Sequence, residues 1–272
     1  MIEDDRGRID YDESGAGPTL VLVPGSCSTG AAWRPVMAEW NGQFRCVTTS
    51  LLGYGGTAER RTVADTSIEL EAEALEEVVR RAGGPVHLIG HSYGGLVALV
   101  VALRKVVSLA SLAILEAPAL EVLRETGEHQ HYFAFREMTD RYFAAFAGGD
   151  KEAVAAMIDF YGGAGTYASW PQRVRAYAID TTHVNIIDWE SARGYPLTSA
   201  ALARIDIPTL IVTGTASHPA PRCANEHLGK LVPEAGFVLI EGAAHFMIAT
   251  HAGEVARRVA EHVLRAETHP QG

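Results

Sequence analysis

Apolar residues in this chain come in short, nearly unbroken runs rather than in strict alternation with polar ones. Such runs lie at Thr19 to Val23, Phe44 to Thr48, Val86 to Ile89, Leu109 to Leu115, Ile207 to Thr213 and Phe237 to Ile240. Continuous hydrophobicity at strand length marks strands buried on both faces. Between the runs, apolar positions recur at helical spacing over Ala31 to Trp40, Ser67 to Ala82, Leu96 to Lys105, Arg222 to Leu231 and Glu254 to Arg265. Strand alternating with helix predicts an α/β fold: a mostly parallel central sheet covered by helices on both faces. Arg8 to Glu13 alternates weakly and predicts an added edge strand.

The rhythm breaks between about Ala119 and Ala203, where helical segments rich in Tyr, Phe and Trp follow one another without a convincing strand. This predicts a core domain made of residues 1–118 and 204–272, with residues 119–203 inserted as a helical cap. Gly148-Gly149, the glycines from Gly162 to Gly165, and Pro171 divide the cap into several helices. A chain of 272 residues fits one folding unit with an insertion better than two equal domains. The polar tail Glu267 to Gly272 is expected to fray.

Charge narrows the partners. The formal net charge is -10, with acids and bases interspersed, so no basic stripe is available to neutralise phosphates. Nucleic acid and anionic membrane are therefore not expected partners. No uninterrupted apolar run approaches the length of a membrane helix, and Met1-Ile2-Glu3-Asp4-Asp5 has no signal-peptide pattern. Cys27, Cys46 and Cys223 show no paired spacing of a zinc site or a disulfide framework. Together these give the expectation of a cytoplasmic protein that needs no metal or organic cofactor.

The sharpest chemical signal is Gly90-His91-Ser92-Tyr93-Gly94. It follows the run Val86 to Ile89 and precedes the apolar helix that begins near Leu96. A serine on so tight a strand-to-helix turn presents its hydroxyl above the sheet, and the helix N-terminus below favours developing negative charge. Ser92 is thus the expected nucleophile, and the amide of Tyr93, next in the chain, one oxyanion donor. His91 reads as a packed neighbour, since a residue adjacent to Ser92 on this turn points elsewhere. After the last apolar run, Glu241-Gly242-Ala243-Ala244-His245 supplies a histidine in a loop of small residues. His245 is the expected general base.

Over nearly its full length the chain resembles the α/β-hydrolase family. The resemblance implies that the amide of Ser26, in Pro24-Gly25-Ser26-Cys27, completes the oxyanion hole. Pro24 stands where the family usually has His, and the backbone amide survives that change. The family usually places its triad acid after the penultimate strand, and here that stretch reads Thr213-Gly214-Thr215-Ala216-Ser217-His218, with Ser217 at the expected site. Some members carry the acid at the end of the preceding strand instead. By that resemblance Glu116, which follows Leu112 to Leu115, is the migrated acid.

A serine nucleophile attacks an acyl carbon and forms an acyl-enzyme, unlike the aspartate of the dehalogenases and most epoxide hydrolases of this fold. The expected activity is cofactor-free hydrolysis of a small or medium apolar carboxylic ester. Carbon–carbon bond hydrolysis, acyl transfer, and a non-catalytic small-molecule receptor stay open on the same residues. Cys27, Trp33, His91, Ser217 and His218 are expected around the pocket. Of the many aromatic residues in the cap, only a few are expected to line it, the rest packing helix on helix.

Overall fold

The computed structural model describes residues 1–62 and 64–268. A short hairpin, β1 (Ile2–Asp4) and β2 (Gly7–Ile9), precedes a seven-stranded sheet built from β3 (Asp12–Ser14), β4 (Thr19–Val23), β5 (Arg45–Thr48), β6 (Val86–His91), β7 (Leu109–Leu115), β8 (Thr209–Gly214) and β9 (Gly236–Ile240). The spatial order is β3-β5-β4-β6-β7-β8-β9, with every pairing parallel except the antiparallel edge β3–β5. This is the α/β-hydrolase fold.

The six buried runs become β4 to β9 with ends moved by no more than two residues. Arg8 to Glu13 departs from expectation: it splits between β2, which stays off the main sheet, and β3 at the sheet edge. Asp10 is the cause. Its carboxylate accepts from Ser50 Oγ (2.8 Å) and the Gly56 N–H (2.9 Å), and its own N–H donates to Thr57 Oγ1 (3.0 Å), so the backbone leaves the ladder there.

One face of the sheet is covered by α2 (Ile68–Ala82) and α3 (Tyr93–Arg104), together with α11 (Pro219–Leu231). The other is covered by α1 (Arg34–Glu39), α12 (Met247–Thr250) and α13 (Ala252–Thr268). Ser67 caps α2 by accepting from the Glu69 N–H, and α11 starts earlier than the apolar pattern suggests because Pro219 opens it behind the capping side chain of His218. Of the tail expected to fray, Glu267 and Thr268 complete α13, and residues 269–272 lie outside the described residues.

Between β7 and β8 the described residues form helices only. These are α4 (Leu120–Glu125), α5 (His129–Ala147), α6 (Val154–Gly162), α7 (Thr166–Ser169), α8 (Gln172–Asp180), α9 (Thr182–Gly194) and α10 (Ser199–Leu202). Gly148 and Gly149 separate α5 from α6, and Gly163 and Gly165, both in the left-handed region, separate α6 from α7. In the sheet order, β4 has β5 on one side and β6 on the other. Chain direction across the sheet reverses at that point, where ligands of open α/β sheets bind beyond the carboxyl ends of the strands.

Candidate active site

Ser92 leaves β6 with φ 54° and ψ -129°, a strained backbone for a residue with a side chain, and immediately starts α3. The flanking glycines are sterically required. A Cβ at Gly94 would sit 2.2 Å from the Pro24 carbonyl oxygen, and one at Gly90 would sit 2.4 Å from the Gly94 carbonyl oxygen. The Ser92 N–H is tied to the Leu115 carbonyl (2.9 Å), which locks the turn to the end of β7.

Because His91 and Leu115 are register partners, the next residues, Ser92 and Glu116, leave neighbouring strands side by side. His245 arrives from the loop after β9. Its Nε2 lies 2.9 Å from Ser92 Oγ, and its Nδ1 lies 3.4 Å from Glu116 Oε1. Glu116 is fully buried, also at positive φ (53°), and its other oxygen accepts from Ser217 Oγ (2.7 Å) and Thr213 Oγ1 (3.3 Å). The serine, the imidazole and the carboxylate therefore stand in line.

The imidazole is packed on several sides. Tyr161 of α6 covers it with ring centroids 4.0 Å apart. His91 lies at 4.9 Å and donates Nε2–H to the His245 carbonyl oxygen (2.8 Å). Burial, reinforced by the neighbouring His245, holds His91 down at about 3, so it is neutral and acts as a brace for the loop.

A cavity of about 780 Å³ opens above Ser92. Gly25 to Ser28, Ser92, Tyr93 and His245, from the ends of the sheet strands and the loops after them, form one side. Residues of the helices between β7 and β8, among them Tyr161, Tyr177, Asp188 and Trp189, form the other. The Tyr93 N–H belongs to the first turn of α3, where helix amides have no intrahelical acceptor, and among the described residues no carbonyl takes up the Ser26 N–H.

A model of the alpha/beta hydrolase family matches residues 20–258. The chain belongs to that family. This alpha/beta hydrolase is similar to the pimeloyl-[acyl-carrier protein] methyl ester esterase of Methylococcus capsulatus, 35% identical over 104 residues, 38% of this chain and 39% of that protein. It is also similar to haloalkane dehalogenase 2 of Mycobacterium tuberculosis, 30% identical over 105 residues, 38% of this chain and 36% of that protein. Matches span between 6% and 39% of the length of the curated relatives. Among solved structures, an esterase from Exiguobacterium antarcticum superposes with TM-score 0.76 at 16% identity, covering 96% of this chain and 98% of that one; at this identity the likeness is one of fold.

Several pocket expectations need correction in this hydrolase. Cys27 and His91 line the cavity, whereas Trp33, Ser217 and His218 do not. Trp33 is fully buried in the apolar layer beneath, packed among the residues under α1. Ser217 is turned away toward Glu116, and His218 is committed to capping α11 and to stacking on Phe160 at 4.0 Å. Burial and the nearby Asp188 carboxylate lift the Cys27 thiol to about 12, which keeps it neutral and unreactive. Of the aromatics between β7 and β8, only Tyr161, Trp170, Tyr177 and Trp189 reach the cavity.

The sequence reading missed a buried polar cluster behind Ser26. Asp188 of α9 accepts from Ser26 Oγ (2.5 Å) and Tyr54 OH (2.7 Å) on one oxygen and from Arg61 Nη1 (2.7 Å) on the other. Arg61 also pairs with Glu71 (3.1 Å) and Glu59 (2.8 Å). Burial raises both the Asp188 and Glu71 carboxyls, Glu71 to about 8, against the pull of Arg61. A signal existed: Glu71 in Ile68, Glu71, Ala72, Leu75 and Asp188 in Asn185, Asp188, Trp189, Ala192 sit on the buried stripe of their helices, where an acid requires a partner.

Proposed function

We propose that this protein is a serine hydrolase that cleaves a small or medium apolar carboxylic ester through an acyl-enzyme on Ser92. The observation that carries this reading is the 2.9 Å contact between Ser92 Oγ and His245 Nε2 beneath an open cavity, with Glu116 behind the imidazole. His245 takes the Ser92 proton as Oγ attacks the acyl carbon, and Glu116 supplies the countercharge for the imidazolium. The Ser26 and Tyr93 amides hold the developing oxyanion. His245 then protonates the departing alcohol and activates the water that releases the acid.

Residues 119–203 act as the cap in this reading, with residues 1–118 and 204–272 as the core. The insertion's contribution to the cavity, largely Met157, Ile158, Val174 and aromatic side chains, supports an apolar substrate. Similarity to a protein named as a methyl ester esterase points the same way. The test is labelling by a fluorophosphonate together with turnover of a chromogenic ester panel. Wild type should label stoichiometrically and turn over, and Ser92→Ala should do neither. Labelling at another residue, or ester turnover that survives Ser92→Ala, refutes the mechanism.

A further inference from the structure

Away from the Ser92 cavity, two helices bring together a set of metal-binding side chains. Glu128 stands at the residue just before α5, without a side-chain capping bond, and His131 lies three residues on. Cys223 and His227 lie four residues apart on α11, which packs against α5. One donor atom each from Glu128, His131 and Cys223 falls within 4.8 Å of the other two. His227 Nε2 reaches Glu128 Oε1 at 3.2 Å but stands outside the 4.8 Å group, so it adjoins the three donors through Glu128. Spacings of three and four residues put each pair on one face of its helix. All four side chains are half-buried.

We propose that Glu128, His131, Cys223 and His227 form a site for a divalent zinc-type cation that ties the entry of the helical insertion to core helix α11. The donor chemistry fits. One thiolate, two neutral imidazoles and one carboxylate are ligands that tetrahedral zinc accepts, and four protein donors close the coordination as in structural sites. Charge fits as well: thiolate and carboxylate together carry two negative charges, which neutralise the ion. Cys223 enters as a thiol, so binding transfers its proton to solvent, one proton per ion bound. Donors in a tetrahedral zinc shell lie roughly 3.3–3.6 Å apart by the usual bond lengths, so side-chain closure of about 1 Å brings Glu128, His131 and Cys223 to that spacing, and a larger rotation of His227 supplies the fourth ligand.

The position gives the ion a structural purpose. Glu128 and His131 belong to the segment between β7 and β8, whereas α11 belongs to the core. The loop before α11 carries Ser217, which donates to Glu116. An ion here would hold α5 and α11 in register without touching substrate.

The experiment is titration of the metal-free protein with Co²⁺ and with Zn²⁺. One equivalent of Co²⁺ should give a thiolate-to-metal charge-transfer band and the intense visible bands of tetrahedral geometry, and one equivalent of Zn²⁺ should abolish them. Zn²⁺ should raise the Tm of wild type but not of Cys223→Ser or His131→Ala, and binding should weaken about tenfold or more in each. Absence of the charge-transfer band in wild type overturns the proposal, whatever the variants do. Equal Zn²⁺ affinity in wild type and both variants overturns it too.

Discussion

Glu116 combines three properties rarely found together: it is fully buried, it holds a left-handed backbone, and its carboxylate faces an imidazole. Ser92 and Cys27 are also at positive φ, so three of the six such non-glycine residues among those described border this site. Strain collects where strand ends must aim side chains at one point. Replacing the Glu116 charge with an amide should leave the shape intact and remove the countercharge. Glu116→Gln should therefore lower kcat on a chromogenic ester by about 10²–10⁴-fold. Ser217→Ala removes one donor to that carboxylate and should cost less than about tenfold, near the value of a single hydrogen bond. Steady-state kinetics of the two variants decide the matter, and equal effects would remove Glu116 from the triad.

At the level of elements, α9 reaches the loop that carries Ser26 through a single carboxylate. Asp188 holds Ser26 on one side and Arg61 on the other, so packing of α9 and placement of the loop are one event. Truncation in Asp188→Ala leaves a buried guanidinium with one partner fewer and should destabilise the protein by about 3–5 kcal/mol. Asp188→Asn keeps a hydrogen-bonding oxygen and should be milder. Thermal denaturation of both should rank them in that order, with kcat reduced more than KM in the folded Asn variant because Ser26 loses its fixed position. The turn between β6 and α3 is less forgiving. Gly94→Ala places a methyl against the Pro24 carbonyl oxygen and should abolish fluorophosphonate labelling, read on intact protein by mass.

Across the whole molecule, buried histidines set the acid limb of stability. Burial holds His91 at about 3 and His262 at about 4, both below the ordinary histidine value. Between those values and about 6.5 the unfolded chain binds protons that the folded chain refuses, so stability falls as pH drops through this window. Glu71, raised to about 8, acts with the opposite sign, since its folded form keeps a proton that the unfolded chain releases. A single-site comparison isolates the histidine: His262→Phe should lose less stability than wild type between about pH 7 and about pH 5, with a slope difference approaching about 1.4 kcal/mol per pH unit. Urea midpoints at the two pH values provide the measurement, and parallel losses would show that His262 is protonated in the folded state. Among the described residues no helix is long and apolar enough to cross a membrane.

The run-and-spacing pattern of the chain already determined the sheet, the helices around it and the all-helical stretch between β7 and β8. Buried strands and amphipathic helices announce themselves over a few neighbouring positions, so local order suffices to read them. The Ser92 turn was legible for the same reason, because its chemistry lies within five consecutive residues. Asp188 beside Ser26, the retreat of Ser217 and His218 from the cavity, and the meeting of Glu128 with Cys223 were decided only in three dimensions. Each joins segments far apart in the chain, where no local period records which polar group will meet which. Tertiary packing chooses those partners, because a buried charge is tolerated only where the folded chain supplies its counterpart.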